Sequence, residues 1–212
     1  PLAAAHFFYH AGWADKLDYA FPGRTLRPLG VAAQVIPWNF PLLMAAWKIG
    51  PALSAGNSVI IKPAEQTNMS TLRLAELALE AGIPPGVLSL IIGSGSDAGD
   101  EIINHPAVKA ISFTGSNSVG IRLYEQASRR GAKVQCEMGG KNPVVIMEDA
   151  DMDLAVESTA QGAFGSSGQR CTATSRAVVV NQIADEFVER IARRAEAMRI
   201  GDGADASTEM GP

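Results

Sequence analysis

Cysteine is scarce in this chain: 212 residues hold two, Cys136 and Cys171. Two thiols cannot make the disulfide framework of a small secreted fold, so a reducing, cytoplasmic setting is expected. Histidine is as thin, with three residues. His6 and His10 stand four apart with no third ligand in evidence, so aromatic packing is a simpler reading than a metal site. Aromatic residues make up 6% of the chain, and 18 basic residues face 22 acidic ones for a net charge of −4. No basic stripe is interleaved with aromatics, which argues against nucleic-acid binding. No apolar run approaches the roughly 18 residues of a membrane span. No basic stretch leads into an apolar one at the N-terminus, as a signal peptide requires. Internal repeats and low-complexity segments are missing too. The chain begins at Pro1 and ends in "EMGP", which reads as mid-loop, so a piece of a longer polypeptide is expected.

What is present is an ordinary globular composition, 47% hydrophobic and 19% charged, on a chain long enough for a sizeable core. Apolar strand-like runs alternate with helical stretches. "LGVAAQVI" (29–36), "SVIIK" (58–62), "VLSLII" (87–92), "VKAISF" (108–113) and "AKVQC" (132–136) read as strands. Helices are expected from Pro41, which suits a first turn, over 69–81 with a stop at Gly82, over 97–104 and over 116–130. Five strands joined by helical crossovers predict an α/β domain: a doubly wound parallel sheet with helices on both faces. After Asp153 come a helix, the loop "GSSGQRC", the strand "SRAVVV" and an amphipathic helix carrying Ile183, Phe187, Ile191, Ala195 and Met198.

An open parallel sheet binds ligands at the carboxyl ends of its strands, and three turns there carry suggestive chemistry: "IPWNFP" (36–41), "KPAE" (62–65) and "FTGSNSVG" (113–120). Gly115 and Ser116 lie where a helix should begin, and a helix N-terminus can receive a phosphate. The GxGxxG fingerprint is missing from the first strand–helix turn, and "GSGSDAG" (93–99) follows the third strand instead. Tight turns of any α/β protein would explain these features equally well. Lys62 with Glu65 three residues on can grip a ribose diol, or can form a surface ion pair of little consequence.

Cys171 ends a glycine-rich approach. A nucleophilic thiol needs access, help in forming the thiolate and a donor for the oxyanion it creates. No histidine lies near it in sequence. Glu137, at the end of an apolar strand, can activate water near a thioester as a general base. Asn39, between Trp38 and Phe40, is a neutral donor suited to an oxyanion.

The set "PWNFP", "KPAE", "FTGS", "EMGGKNP" and "GQRC", in this order and at these separations, resembles the aldehyde dehydrogenase superfamily from about Leu29 onward. The resemblance implies oxidation of a small-molecule aldehyde to a carboxylic acid, with NAD, or NADP in its place, as cofactor. In that likeness Cys171 attacks the aldehyde to give a thiohemiacetal, oxidation leaves a thioester, and Glu137 activates the deacylating water. The Asn39 amide and the Cys171 backbone N–H serve the oxyanion. The implied cofactor contacts are Lys62 and Glu65 on the adenosine ribose, and Ser116 with the helix after Gly115 at the pyrophosphate. Ile36, Pro37 and Trp38 wall the cleft, Gly95 and Gly99 approach the adenine, and Ala64, Phe113, Thr114, Val119, Met138 and Gly139 complete the set. A carboxylate at Glu65 repels a 2′-phosphate, which favours NAD.

Two departures are visible: Asn117 where the family commonly has threonine, and Cys136 where it often has leucine. The fold implied is Rossmann-like, with most of a dinucleotide-binding domain over 1–150 and an incomplete catalytic domain over 151–212. A homodimer or homotetramer of the full-length protein is expected. A coenzyme A-acylating relative is disfavoured by the presence of Glu137, since an external thiol needs no such base. A catalytically silent scaffold is disfavoured by the presence of Cys171, Glu137 and Asn39.

Overall fold

Parallel strands are covered on both faces and so must be apolar on both. The central strands of Pro1–Met138 meet that demand, while the strand Lys133–Met138 is apolar on one face only, in a computed structural model that describes residues 1–211. Along this unit run α1 (Leu2–Ala14), α2 (Leu17–Ala20), β1 (Val31–Val35), α3 (Pro41–Ser54), β2 (Ser58–Lys62), α4 (Met69–Glu80) and β3 (Leu88–Leu90). They are followed by α5 (Asp100–Asn104), β4 (Val108–Gly115), α6 (Asn117–Arg129) and β5 (Lys133–Met138). The sheet is parallel throughout, in the order β3-β2-β1-β4-β5. The order reverses between β1 and β4, and that reversal opens a crevice at the carboxyl ends of the strands. This is the doubly wound, Rossmann-like sheet expected from the sequence.

Each face has its own core. On the α3 side Ile36, Met44, Ala45, Ile49, Val59 and Ile61 pack together. On the α5–α6 side Ile102, Ile103, Val108, Ile111, Phe113 and Leu123 do so, with Cys136 and Met138 against them. Pro41 sits in the first turn of α3, and Gly82 ends α4 with φ +92°, a conformation open to glycine.

The sequence expectations differ from the structure in two places. The helix expected over 97–104 is a π-turn, Gly95–Gly99, followed by α5. The Ser94 hydroxyl accepts the Asp97 N–H and starts the turn early. Helix α1 had no apolar periodicity to announce it. There His6 and His10 stack with ring centroids 6.4 Å apart, and His6 lies 6.4 Å from the ring of Trp47. The first compact unit ends at Met138 and the second begins at Gly139. The reason is the pairing of β6 (Asn142–Ile146), which joins β7 (Thr174–Val179) in a separate parallel pair. That second unit adds α7 (Met152–Phe164), which the Asp151 carboxylate caps at the Leu154 N–H, and α8 (Asn181–Glu196). Its core is Ile146, Val156 and Phe187, with Ile183 and Ile191 packed on them.

Candidate active site and cofactor cleft

At the carboxyl ends of β1, β2 and β4 lies a cavity of about 400 Å³, lined among others by Val35, Lys62, Gly95, Gly99, Phe113 and Val119. Lys62 is 5% exposed. Its stem runs past Gly99, where an added Cβ would stand 3.9 Å from Lys62 Cδ, and its Nζ donates to the Pro63 carbonyl. Ala64 precedes the short 3₁₀ turn Glu65–Thr67. Among the described residues no ion pair joins Lys62 to Glu65, so the lysine stands buried at the cavity and is not one half of a surface salt bridge. Arg122 closes the outer wall, its Nη1 bridging both oxygens of Asp100 at 2.9 and 3.1 Å. The sequence reading missed this pair, because its members lie on two helices.

The N-terminus of α6 opens beside this cavity. Ser116 is its N-cap without a side-chain cap bond, so the first-turn N–H groups of α6 have no partner within the helix. Gly115 is needed for packing: a Cβ there would lie 2.6 Å from Phe113 Cζ. Gly120 likewise makes room for Met138, whose side chain packs against the Phe113 cluster. The Thr114 hydroxyl oxygen is buried with no hydrogen-bond partner among the described residues. A glycine-walled cavity, a buried lysine and an uncapped helix end together suit a dinucleotide diphosphate.

The bend after β1 carries Ile36, Pro37, Trp38 and Asn39. Ile36 is 2% exposed and packs into the α3-side core, so its side chain belongs to the interior. Pro37 and Asn39 are half-buried and Trp38 is exposed.

Glu137 stands exposed near the end of β5, on the face opposite Cys136. Cys136 turns toward the α6 side, where its Sγ lies 3.6 Å from the Gly120 carbonyl, and burial raises its pKa. A second cavity of about 420 Å³ lies on the Glu137 side and is lined in part by Gln34, Trp47, Lys48, Ser112, Gln135 and Glu137. Lys48 is 7% exposed. Burial lowers its pKa from 10.5 to about 8, against the opposing pull of Glu137 and Cys136. The Gln135 amide donates to Glu137 at 2.9 Å. Lys48, Ser112 and Gln135 were not singled out from sequence. The one available signal was the two-residue spacing of Gln135 and Glu137, which puts both on one strand face.

In the second unit Cys171 is exposed, in the turn before β7. Its carbonyl accepts from the Asn142 side chain at 2.8 Å, which ties the turn to β6. Gly139 is exposed at the start of this unit. Ser166 and Ser167 both adopt φ +54°, a left-handed conformation that non-glycine residues rarely take. Such strain concentrates where a loop has a task. Gly168 is required by its own backbone: φ is +68°, and a Cβ would meet the Ala163 carbonyl at 2.9 Å.

A family model described as the aldehyde dehydrogenase family matches residues 1–212. Mouse (Mus musculus) retinaldehyde dehydrogenase 3 is 48% identical over 97% of this chain and 42% of its own. Human retinal dehydrogenase 2 is 49% identical over 97% and 42%. A protein named mitochondrial aldehyde dehydrogenase, from Leishmania tarentolae, is 44% identical over 100% and 44%. Among solved structures, betaine aldehyde dehydrogenase of Staphylococcus aureus in complex with NAD+ superposes with TM-score 0.85 at 44% identity, covering 87% of this chain and 37% of that one. PnpE in complex with nicotinamide adenine dinucleotide gives TM-score 0.92 at 42% identity, over 100% and 45%. The chain belongs to the aldehyde dehydrogenase family, and it spans less than half the length of these relatives.

Proposed function

We propose that the protein to which this chain belongs oxidises a small-molecule aldehyde to a carboxylic acid with NAD, through a covalent bond to Cys171. The observation that carries this reading is the Cys171 thiol: exposed, at the mouth of β7, on a turn preceded by two left-handed serines.

In this mechanism Cys171 Sγ attacks the carbonyl carbon, forming a C–S bond while the carbonyl π pair moves to oxygen. The Asn39 amide and the Cys171 N–H donate to that oxyanion. The chemistry supplied by bound NAD is acceptance of the hydrogen and two electrons that turn the thiohemiacetal into a thioester. Lys62 and Glu65 would hold the ribose, the α6 N-terminus would receive the diphosphate, and Gly95 and Gly99 would admit the adenine. The remaining cofactor set is Pro37, Trp38, Ala64, Phe113, Thr114, Val119, Met138 and Gly139, with Ile36 contributing backbone alone. Glu137 then takes a proton from water as the water oxygen bonds to the acyl carbon, and the C–S pair returns to sulfur. A carboxylate held on a strand favours this hydrolytic route over transfer to coenzyme A, and an intact thiol with an intact base argues against a silent scaffold. The proposal includes a cytoplasmic homo-oligomer with residues 1–150 as the cofactor domain. Among the described residues no helix is long and apolar enough to cross a membrane.

The test is Cys171→Ala in the full-length protein. Formation of NADH should fall by more than about 10³-fold, while NAD affinity measured by calorimetry stays close to wild type. Turnover near the wild-type rate, or loss of cofactor binding, contradicts the assignment.

A further inference from the structure

A continuous line of hydrogen bonds crosses the α3-side face of β4 and β5. Lys48 Nζ donates to Ser112 Oγ at 2.7 Å. Ser112 Oγ donates to Gln135 Oε1 at 2.6 Å. Gln135 Nε2 donates to Glu137 Oε1 at 2.9 Å. The chemistry of the two ends sets one direction of donation. An ammonium has only donors and a carboxylate only acceptors, so Ser112 and Gln135 must each accept on one side and donate on the other. Turning the Gln135 amide over would set its oxygen against the carboxylate, acceptor against acceptor.

The fold builds this line from three elements. Ser112 and Gln135 are register partners across β4 and β5. Gln135 and Glu137 share one strand face because side chains alternate. Lys48 enters from α3, itself fixed where its carbonyl accepts from Gln34 Nε2 at 2.7 Å. Successive bonds in such a chain polarise one another.

We propose that Gln135 is a positioning residue for Glu137: its side-chain amide, held from behind by Ser112 and Lys48, fixes the carboxylate in one orientation. This rests on the general-base reading of Glu137. Glu137 is exposed, and a free glutamate there samples many rotamers. A base must lie within hydrogen-bond reach of the water it deprotonates, and a misplacement of about 1 Å can cost about 100-fold. The step served is breakdown of the thioester, in which the water proton passes to Glu137, an O–C bond forms and the C–S bond breaks. Formation of the thioester does not use that carboxylate.

The experiment uses the full-length protein with NAD and a short aldehyde, and follows formation and breakdown of the acyl-enzyme separately by rapid quench. Gln135→Met keeps the length of the side chain and removes the donor. It should leave acyl-enzyme formation within about twofold of wild type and slow breakdown by about tenfold or more. Ser112→Ala should give the same split, and Ser112→Thr, which keeps the hydroxyl, should restore breakdown. This pair carries the test if Gln135→Met does not fold. Breakdown at the wild-type rate in Gln135→Met or Ser112→Ala, or equal loss of both steps, overturns the proposal. Glu137→Gln separates the two ideas. If it breaks down the acyl-enzyme normally, the general-base reading fails; if it stalls while Gln135→Met and Ser112→Ala are normal, only the positioning role fails.

Discussion

The two faces of the five-stranded sheet are organised by different forces. On the α5–α6 side Ile111, Phe113, Leu123 and Ala127 are almost wholly buried, and glycines at 115 and 120 let Phe113 and Met138 close in. On the α3 side of β4 and β5 the same strands present Ser112, Gln135 and Glu137 to an open cavity. Alternation along a strand makes this possible: Cys136 turns to the dry face and Glu137 to the wet one. Packing therefore shapes the candidate cofactor cleft, while hydrogen bonds hold the candidate base. The two properties should be separable by mutation.

The largest separation is expected from Phe113→Ala, which empties a ring-sized volume from the dry face. It should cost about 3–5 kcal/mol of stability in urea denaturation. Gln135→Ala on the exposed face, which breaks the bonds to Ser112 and Glu137, should cost about 1 kcal/mol. Equal costs would erase the distinction between the faces.

Next in size is the pH dependence carried by Lys48. Burial holds its pKa at about 8 in the folded protein, against 10.5 ordinarily. Between those values the unfolded chain binds the extra proton, so this residue's contribution to stability rises with pH through that window. Below about pH 8 the buried charge is a cost. Lys48→Met should remove that rise, with a difference between the two profiles of up to about 3 kcal/mol in denaturation series from pH 7 to about 10.5. Parallel profiles would show that Lys48 is not desolvated.

The smallest effect belongs to the cleft. Glu65→Gln should weaken NAD binding severalfold, about 1 kcal/mol, and NADP binding less, since the lost carboxylate repels a 2′-phosphate. Equal weakening in calorimetry would remove Glu65 from the ribose.

Much of this sheet was readable from sequence. Ser58–Lys62 is a strand at the bounds its apolar run announces, and Gly82 stops α4 where the glycine stands. Cys171, Glu137 and Lys62 each end or precede a strand, which the local pattern exposes. What stayed hidden depends on tertiary placement. The switch from β5 to β6 follows from which partner strand is available, and nothing local in "EMGGKNPVVIM" names that partner. The line from Lys48 to Glu137 joins residues of α3, β4 and β5 that no spacing relates. The Ile36 side chain, one residue past β1, packs into the α3-side core. The strain at Ser166 and Ser167 has no compositional mark, since serine normally avoids that conformation.

In the proposed reaction Cys171 forms the acyl-enzyme and Glu137 releases it. Glu137→Gln in the full-length protein, mixed rapidly with NAD and aldehyde, tests it most directly. A burst of NADH equal to the enzyme sites, followed by a stall, is expected. Sustained turnover at the wild-type rate, or the absence of any burst in a folded variant that binds NAD, would contradict it.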